Sequence, residues 1–198
     1  MISDKVRESL RALIKEQRWS DVQLMLTEEA RKVPESEEIL YYQGVLFIGL
    51  GKKEEAIATL GYAIRQAVEL NRFLLAMAAS AKLEEISPAD VQLRVRRADL
   101  YLSMGLDRAA YEYLIREFEF YRRRNNPHAL YLIVRKMLSI DEENLDLALN
   151  MAKMLSHLGQ KEEARRTVEN VIFTLQGRGS YEEATRIQTE YEYLYEDS

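Results

Sequence analysis

Residues 50–56 read Leu50-Gly51-Lys52-Lys53-Glu54-Glu55-Ala56, a glycine turn followed by the acidic start of a helix. The same pattern returns as Met104-Gly105-Leu106-Asp107-Arg108-Ala109-Ala110 and as Leu158-Gly159-Gln160-Lys161-Glu162-Glu163-Ala164. The glycines are 54 residues apart both times, and so are the alanines. Because internal repetition on this scale is typical of stacked helices, the pattern predicts a helical repeat protein.

The composition agrees with a helical fold. Of the 198 residues, 47% are apolar and 31% are charged, which is typical of a soluble chain that folds around an apolar core. The chain has three prolines and eight glycines, and few runs of strand-forming residues are bounded by turn residues. We therefore predict an all-α fold.

Charge and cysteine content exclude several classes of function. The net charge is −5, which argues against a general nucleic-acid binder because phosphate contacts need a basic surface. The absence of cysteine excludes disulfides, thiolate metal sites and thiol nucleophiles. The amino terminus lacks the apolar segment of a signal peptide, and the longest apolar run, 39–50, is too short to span a bilayer. We expect a cytoplasmic protein with no nucleic-acid partner and no integral membrane segment.

Laid on itself at the 54-residue period, the chain forms three rows of three helical patterns each. The rows span about 37–90, 91–144 and 145–198. Residues 1–36 fit the same register as a partial row with two more helices. The sequence therefore predicts about eleven helices, arranged as 54-residue three-helix units, in one domain over residues 1–198.

Residues at equivalent places in the rows have matching properties. Each first helix has a small residue that lets a neighbouring helix approach closely: Gly44, Ala98 and Ala152. Each second helix is followed by a residue type that tolerates the left-handed backbone conformation: Asn71, Asn125 and Gly179. These positions predict how the helices pack and where they end.

The order of small and large residues resembles the tetratricopeptide repeat. The first matching set is Gly44, Phe47, Gly51, Ala56, Leu60 and Ala63. The second is Ala98, Tyr101, Gly105, Ala110 and Leu114, and the third is Ala152, Leu155, Gly159, Ala164, Val168 and Val171. The resemblance implies a right-handed α-solenoid of antiparallel helix hairpins, whose concave groove binds a protein or a peptide.

The chain departs from the tetratricopeptide pattern in two ways. Strict repeats have 34 residues, whereas here a further helix of about twenty residues lies between the matching pairs. The usual tryptophan is absent, and its places hold Leu40, Arg94 and Ala148.

The resemblance also implies which residues line the groove, because the family lines it with its first helices. Carried over position by position, the partner-binding residues are Tyr41, Val45, Arg96, Asp99, Asn150 and Lys153. Members of the family that bind chaperone tails clamp a terminal carboxylate with Lys and Asn at set positions. Those positions hold Tyr41 and Val45 in one row, whereas Asn150 and Lys153 stand alone in another. Binding of a chaperone tail is therefore disfavoured.

Two basic clusters each allow two interpretations. Arg122-Arg123-Arg124 ends a helix, where cations interact favourably with exposed carbonyl groups, but it is also a candidate anion site. Arg94, Arg96 and Arg97 lie on a first helix, and first helices line the groove in the family that the chain resembles, so this cluster is either structural or a site for an acidic partner. Arg94 and Arg97 share one side of the helix, and Arg96 points elsewhere. Both interpretations stay open for both clusters.

The last predicted helix, over residues 180–195, is rich in tyrosine. Its inward stripe by helical spacing is Ala184, Ile187, Tyr191 and Leu194. Tyr193 and Tyr195 fall outside this stripe, and a terminal helix lacks one neighbour. We expect Tyr193 and Tyr195 to contact a partner or a second copy, so that the chain forms a homo-oligomer through its C-terminal helix in the second case.

Residues for catalysis or metal binding do not assemble in the sequence. The two histidines, His128 and His157, lie in different rows, and there is no His-x-x-x-His pair or glycine-rich phosphate loop. Acidic pairs such as Glu54-Glu55 and Glu162-Glu163 fall in first turns, where they complement the helix dipole. We expect no catalytic residue, no metal site and no cofactor.

The sequence therefore favours a non-catalytic scaffold or adaptor that binds a protein segment in a groove. One alternative is an assembly or secretion chaperone that shields an apolar segment of its client. Another is a regulatory module that acts on a separate GTPase or kinase. An enzyme that acts by itself is disfavoured, because no catalytic groups are assembled.

Overall fold

A computed structural model describes residues 2–34 and 36–195 of the chain. Over these residues it contains eleven α-helices, one 3-10 helix and no strand, so the predicted all-α helical repeat is confirmed. The chain divides after Gly105 into two compact units, called here the N-terminal unit and the C-terminal unit. The single domain over residues 1–198 stays a prediction.

Each helix of a unit packs mainly against its neighbours in the chain. The described helices of the N-terminal unit are α1 Asp4–Lys15, α2 Trp19–Lys32, α3 Glu37–Gly49, α4 Lys53–Glu69, α5 Phe73–Ile86 and α6 Val91–Ser103. Those of the C-terminal unit are α7 Asp107–Arg122, α8 Pro127–Leu138, α9 Leu145–His157, α10 Lys161–Gly177, α11 Tyr181–Glu190 and the 3-10 helix Glu192–Leu194.

Left-handed residues end the helices in two series with the same 54-residue period. The first series is Gly51, Gly105 and Gly159, with φ of 72°, 70° and 77°. The second series is Gln17, Asn71, Asn125 and Gly179, with φ of 57°, 56°, 50° and 78°. The left-handed positions predicted after the second helices are confirmed, and Gln17 extends that series towards the amino terminus.

Hydrogen bonds close these helix ends in one recurring way. After α3, the Lys52 N–H donates to the Phe47 carbonyl at 2.9 Å, and the Gly51 N–H donates to the Ile48 carbonyl at 3.0 Å. The same two bonds recur after α1, α4, α7, α9 and α10. This Schellman arrangement satisfies the last carbonyl groups and turns the chain sharply. The repeat in sequence is therefore a repeat of helix-ending turns.

The small residue of the first row lets α3 and α4 pack closely. Gly44 lies against Leu60, and a methyl group in its place would lie 2.5 Å from Leu60 Cγ. The equivalent Ala98 and Ala152 are fully buried. Further along α3, Gly49 lies directly against the Trp19 ring. The packing role predicted for the small residues is confirmed.

The C-terminal helix is shorter than predicted. The α-helix ends at Glu190, and the 3-10 helix follows instead of a continuous helix to residue 195. A 3-10 helix has about three residues per turn, so Tyr191 and Leu194 fall on one side, and both are buried. The predicted inward stripe is confirmed, since Ala184 and Ile187 are buried too. Within the described residues, no helix has the length and apolar content needed to cross a lipid bilayer.

Candidate functional site

The N-terminal unit has a concave groove with a volume of about 670 Å³, called here the N-terminal groove. Side chains of α1, α3 and α5 line it. These are alternate helices, because short connections make neighbouring helices antiparallel partners that lie in different layers. α3 also packs directly against α5. The odd-numbered helices α1, α3 and α5 therefore line the concave side of this unit.

Local signals fix where the three lining helices begin. The Ser3 hydroxyl accepts a hydrogen bond from the Val6 N–H at 3.4 Å and caps α1. Glu37 and Glu38 lie in the first turn of α3, where acidic side chains favour the positive end of the helix dipole. The left-handed Asn71 turns the chain immediately before α5. The groove therefore follows from the same helix ends that define the repeat.

The floor of the N-terminal groove is apolar. Tyr41 and Val45 of α3 line it, together with Ile14 of α1 and Leu74 and Leu75 of α5. Leu74 leaves 79% of its surface in water, which is unusual for a leucine beside other apolar side chains. The groove therefore offers an apolar surface that no residue of the described chain covers.

Tyr41 contributes a ring rather than a charge to this floor. Its ring meets that of Tyr42 edge to face, with 5.1 Å between the ring centroids. Burial raises the pKa of the Tyr41 hydroxyl above its ordinary value, although the Lys82 ammonium acts in the opposite direction. At neutral pH the phenol is therefore uncharged.

The rim of the groove is basic. Arg7, Arg11 and Lys15 are four residues apart on α1, so they share one face of the helix, and Lys82 is a fourth cation from α5. Glu38 is the one carboxylate among the described lining residues. The groove thus combines an apolar floor with an excess of positive charge.

Glu38 is already engaged within the unit. It accepts a hydrogen bond from Arg7 Nε at 2.9 Å through one oxygen. Its other oxygen accepts the Ile2 N–H at 3.0 Å. Glu38 therefore neutralises Arg7 and ties the amino-terminal residues to α3.

The remaining cations are less neutralised. Lys82 Nζ lies 2.8 Å from Oε2 of Glu85, a largely exposed carboxylate. Arg11 and Lys15 are exposed and have no ion-pair partner within residues 2–34 and 36–195. These two side chains are the available charges of the groove.

The predicted groove residues of the first row are found together, and those of the second row are not. Tyr41 and Val45 both line the N-terminal groove. Arg96 and Asp99 are exposed on α6, which supplies none of its lining residues. α6 follows α3 by three helices, whereas every second helix from α1 to α5 lies on the groove side of the N-terminal unit, so α6 lies outside the groove. The role of Arg96 and Asp99 in binding stays a prediction.

The predicted groove residues of the third row lie on α9 of the C-terminal unit. Asn150 and Lys153 are both exposed. Lys153 Nζ donates to Glu190 Oε1 at 3.1 Å and lies 5.5 Å from the centre of the Tyr191 ring. The hydrogen bond to Glu190 raises the pKa of Lys153. Their contact with a partner also stays a prediction.

The basic cluster on α6 is mostly engaged within the N-terminal unit. Arg94 Nη1 and Arg97 Nη1 donate to Glu84 Oε2 at 2.7 Å and 2.8 Å, and the Glu84 side chain is 7% exposed. Arg96 lies apart and is exposed. The predicted division of this cluster into two sides is confirmed.

The basic cluster at the end of α7 interacts with its own helix. Arg122 pairs with Glu119 at 2.6 Å. Arg124 Nη1 donates to the Phe120 carbonyl at 3.4 Å, and its guanidinium lies 3.6 Å from the centre of the Phe120 ring. These contacts favour the helix-end interpretation over an anion site.

The tyrosines predicted to meet a partner lie partly exposed beside the last turn. Tyr193 is 44% exposed and stacks on the buried Tyr191 with 6.1 Å between ring centroids. Tyr195 is 40% exposed, and the Arg165 guanidinium lies 5.9 Å from its ring centre. Their contact with a partner or a second copy stays a prediction.

Chemistry-bearing side chains are scattered in the described part of the chain. His128 and His157 are exposed, in the first turn of α8 and at the last residue of α9. No group of three His, Cys, Asp or Glu side chains within residues 2–34 and 36–195 is placed to hold a metal ion.

Two features of the groove escape prediction from the sequence. The cations Arg7, Arg11 and Lys15 have a visible signal, their spacing of four, but the 54-residue period aligns α1 with α4, a second helix, rather than with a lining helix. Leu74 has no such signal, because it stands in an apolar run, and a run of that kind predicts burial.

Comparisons with known proteins do not show the family of this chain. No known family profile matches the chain, and no curated protein is similar to it in sequence. A solved structure of a tetratricopeptide repeat protein from Parabacteroides merdae ATCC 43184 aligns over 98% of this chain and 94% of that chain. The two are 14% identical, with a TM-score of 0.29. The fold assignment therefore rests on the helices and helix ends described above.

Proposed function

We propose that this chain is a non-catalytic interaction module that binds a segment of a partner protein in the N-terminal groove. The observation that carries the proposal is the exposure of Leu74 beside Tyr41 and Val45. An apolar side chain held in water beside other apolar groups gains free energy when another molecule covers it. A groove between packed helices suits a peptide segment whose apolar side chains contact the floor of the groove.

The rest of the groove supports recognition rather than catalysis. Its charged side chains are four cations and one carboxylate, and that carboxylate is engaged with Arg7. General acid–base or nucleophilic chemistry needs a base held within hydrogen-bond reach of the reacting group. The groove supplies charge and apolar surface, which are the requirements for binding.

The assembly-chaperone alternative draws on the same exposed leucine. A chaperone would cover an apolar segment that makes its client aggregate when the client is alone. A scaffold would bind a partner that stays in solution without it. Light scattering of the purified partner, with and without this chain, separates the two alternatives.

Site-specific photo-crosslinking tests the proposed function. A photoreactive phenylalanine analogue replaces Leu74 in one variant and Phe173 in a matched control, since Phe173 is 78% exposed but lies in the C-terminal unit. We expect a discrete crosslinked partner peptide from position 74 in cells and none from position 173. Equal products at both positions, or no product at position 74, would contradict the proposal.

A further inference from the structure

We infer that the segment bound in the N-terminal groove is acidic and amphipathic, with carboxylates on the side that faces α1 and large apolar side chains against α3 and α5. This inference rests on the proposed function and names the chemistry of the partner. It follows from the distribution of charge and apolar surface across the groove.

The charge of the groove selects the sign of its occupant. Four cations and one carboxylate line it, and Glu38 neutralises Arg7. Arg11 and Lys15 have no ion-pair partner within residues 2–34 and 36–195. A basic segment would therefore meet like charge along α1, whereas a segment with Asp or Glu would meet two available cations.

The apolar floor selects the second property of the occupant. Leu74 is exposed and Tyr41 is partly exposed, and neither bears a charge, so a segment of carboxylates alone would leave them in water. Covering apolar surface contributes most of the free energy of association in such grooves. The occupant therefore needs large apolar residues as well as acids, in an arrangement that separates them onto different sides.

The size of the groove limits how much of the partner it holds. Its volume of about 670 Å³ lies within the range of roughly 300–1,000 Å³ that accommodates a drug-sized ligand. It therefore holds a few side chains of a short segment rather than the surface of a folded domain. A short peptide is for that reason an adequate probe.

The charges act mainly through attraction that salt weakens. Arg11 and Lys15 are exposed, and the Debye length falls from about 10 Å at 0.1 M salt to about 3 Å at 1 M. An exposed charge pair contributes little by itself, so the apolar contacts fix the segment and the cations select its sign. Affinity for an acidic peptide should therefore fall as salt rises.

Peptide selection followed by titration tests the inference. A random peptide display library is selected on the full chain, and the strongest peptide is synthesised with a fluorophore for anisotropy titrations. We expect selected peptides with Asp or Glu beside Leu or Phe. We expect the double variant Arg11→Glu, Lys15→Glu to weaken binding by about tenfold or more. The matched charge reversal on α4, Lys53→Glu with Arg65→Glu, should leave binding unchanged.

The possible outcomes separate this inference from the proposed function. Peptides that lose binding on Leu74→Ser but lack acids and ignore the α1 double variant would overturn the inference and leave the proposed function standing. Failure to select any peptide sensitive to Leu74→Ser would overturn both. A concentration-dependent dimer that the α1 double variant dissociates in sedimentation would make the occupant a second copy, which also overturns the inference. Acidic peptides that bind with salt-dependent affinity through Arg11 and Lys15 would support it.

Discussion

The two units differ at several positions that the repeat makes equivalent. An offset of 108 residues, which is two periods, aligns α1–α5 with α7–α11. At this offset Val45 corresponds to Lys153, and Lys82 corresponds to Glu190. In the C-terminal unit, Lys153 and Glu190 form an ion pair at 3.1 Å beside a buried tyrosine. In the N-terminal unit, an apolar residue and a cation line an open groove instead.

The same offset shows that two side chains of the N-terminal groove have no counterpart of the same kind in the C-terminal unit. Arg11 corresponds to Glu119, and Leu74 corresponds to Glu182. The C-terminal unit thus has acids where the N-terminal unit has a cation and an exposed apolar side chain. Exposed substitutions change stability little, whereas changes at helix ends and cores change it much. The repeat therefore maintains a scaffold on which two different surfaces have been built.

The largest expected effect concerns Glu84, which the N-terminal unit buries between Arg94 and Arg97. Its equivalent, Glu192, is exposed in the 3-10 helix. Glu84→Ala should cost about 3 kcal/mol of unfolding free energy, because it leaves two partly buried guanidinium groups without their shared carboxylate. Urea unfolding followed by circular dichroism measures this change. Glu192→Ala is the control, and equal effects at both positions would refute the structural role of Glu84.

A smaller loss of stability is expected at a pair of core residues that differs between the two units. One unit combines a smaller residue with a larger one, and the other combines two residues of intermediate size. Gly44 and Leu60 of the N-terminal unit correspond to Ala152 and Val168 of the C-terminal unit. Gly44→Ala should cost about 2 kcal/mol, because its methyl group would lie 2.5 Å from Leu60 Cγ. Adding Leu60→Val reproduces the pair of the C-terminal unit and should recover much of the loss.

The coupling free energy between the two substitutions is measured with a double-mutant cycle of urea unfolding. A favourable coupling between Gly44→Ala and Leu60→Val is expected, since the second change removes bulk next to the new methyl group. Additive losses would show that the helices move apart instead, and that residue size does not set the distance between α3 and α4.

Some parts of the structure can be predicted from the sequence, and others cannot. The turns at Gly51 and Asn71 are predictable, because a left-handed helix end needs one of a few residue types at a fixed place. The lining helices are not predictable in this way. One sequence period contains three helices, whereas every second helix from α1 to α5 lines the groove of the N-terminal unit. Tyr41 and Val45 line the groove, but their contact with a partner stays a prediction, and α1 and α5 are not recognised from the sequence as lining helices.

Partner binding should depend on Leu74, an exposed apolar residue of the N-terminal groove whose equivalent in the C-terminal unit is Glu182. Leu74→Glu gives the N-terminal unit the residue found at position 182. It should weaken binding of the selected peptide by about tenfold, through lost apolar contact and repulsion of an acidic segment. Anisotropy titration measures the change. Phe173→Glu, at an equally exposed apolar site of the C-terminal unit, should have no effect, and unchanged binding by Leu74→Glu would place the peptide elsewhere.

The smallest expected effect is an alkaline loss of stability in the C-terminal unit. The hydrogen bond to Glu190 raises the pKa of Lys153, and burial raises the pKa of the Tyr191 hydroxyl. A raised folded-state pKa contributes stability that is fully present below the unfolded-state pKa, about 10 for either side chain, and is lost as pH rises through the folded value. The Lys153–Glu190 pair is exposed, so its share should stay below about 1 kcal/mol.

Lys153→Gln isolates the contribution of the ion pair. It should lower the unfolding free energy slightly at pH 7 and flatten its decline above about pH 10, because the ammonium is no longer there to titrate. Lys53→Gln is the matched control, since Lys53 is exposed and has no ion-pair partner in the described part of the chain. Urea unfolding at a series of pH values measures both variants. A decline in Lys153→Gln as steep as in the parent chain would assign the alkaline loss to Tyr191, whose charged form the buried site disfavours.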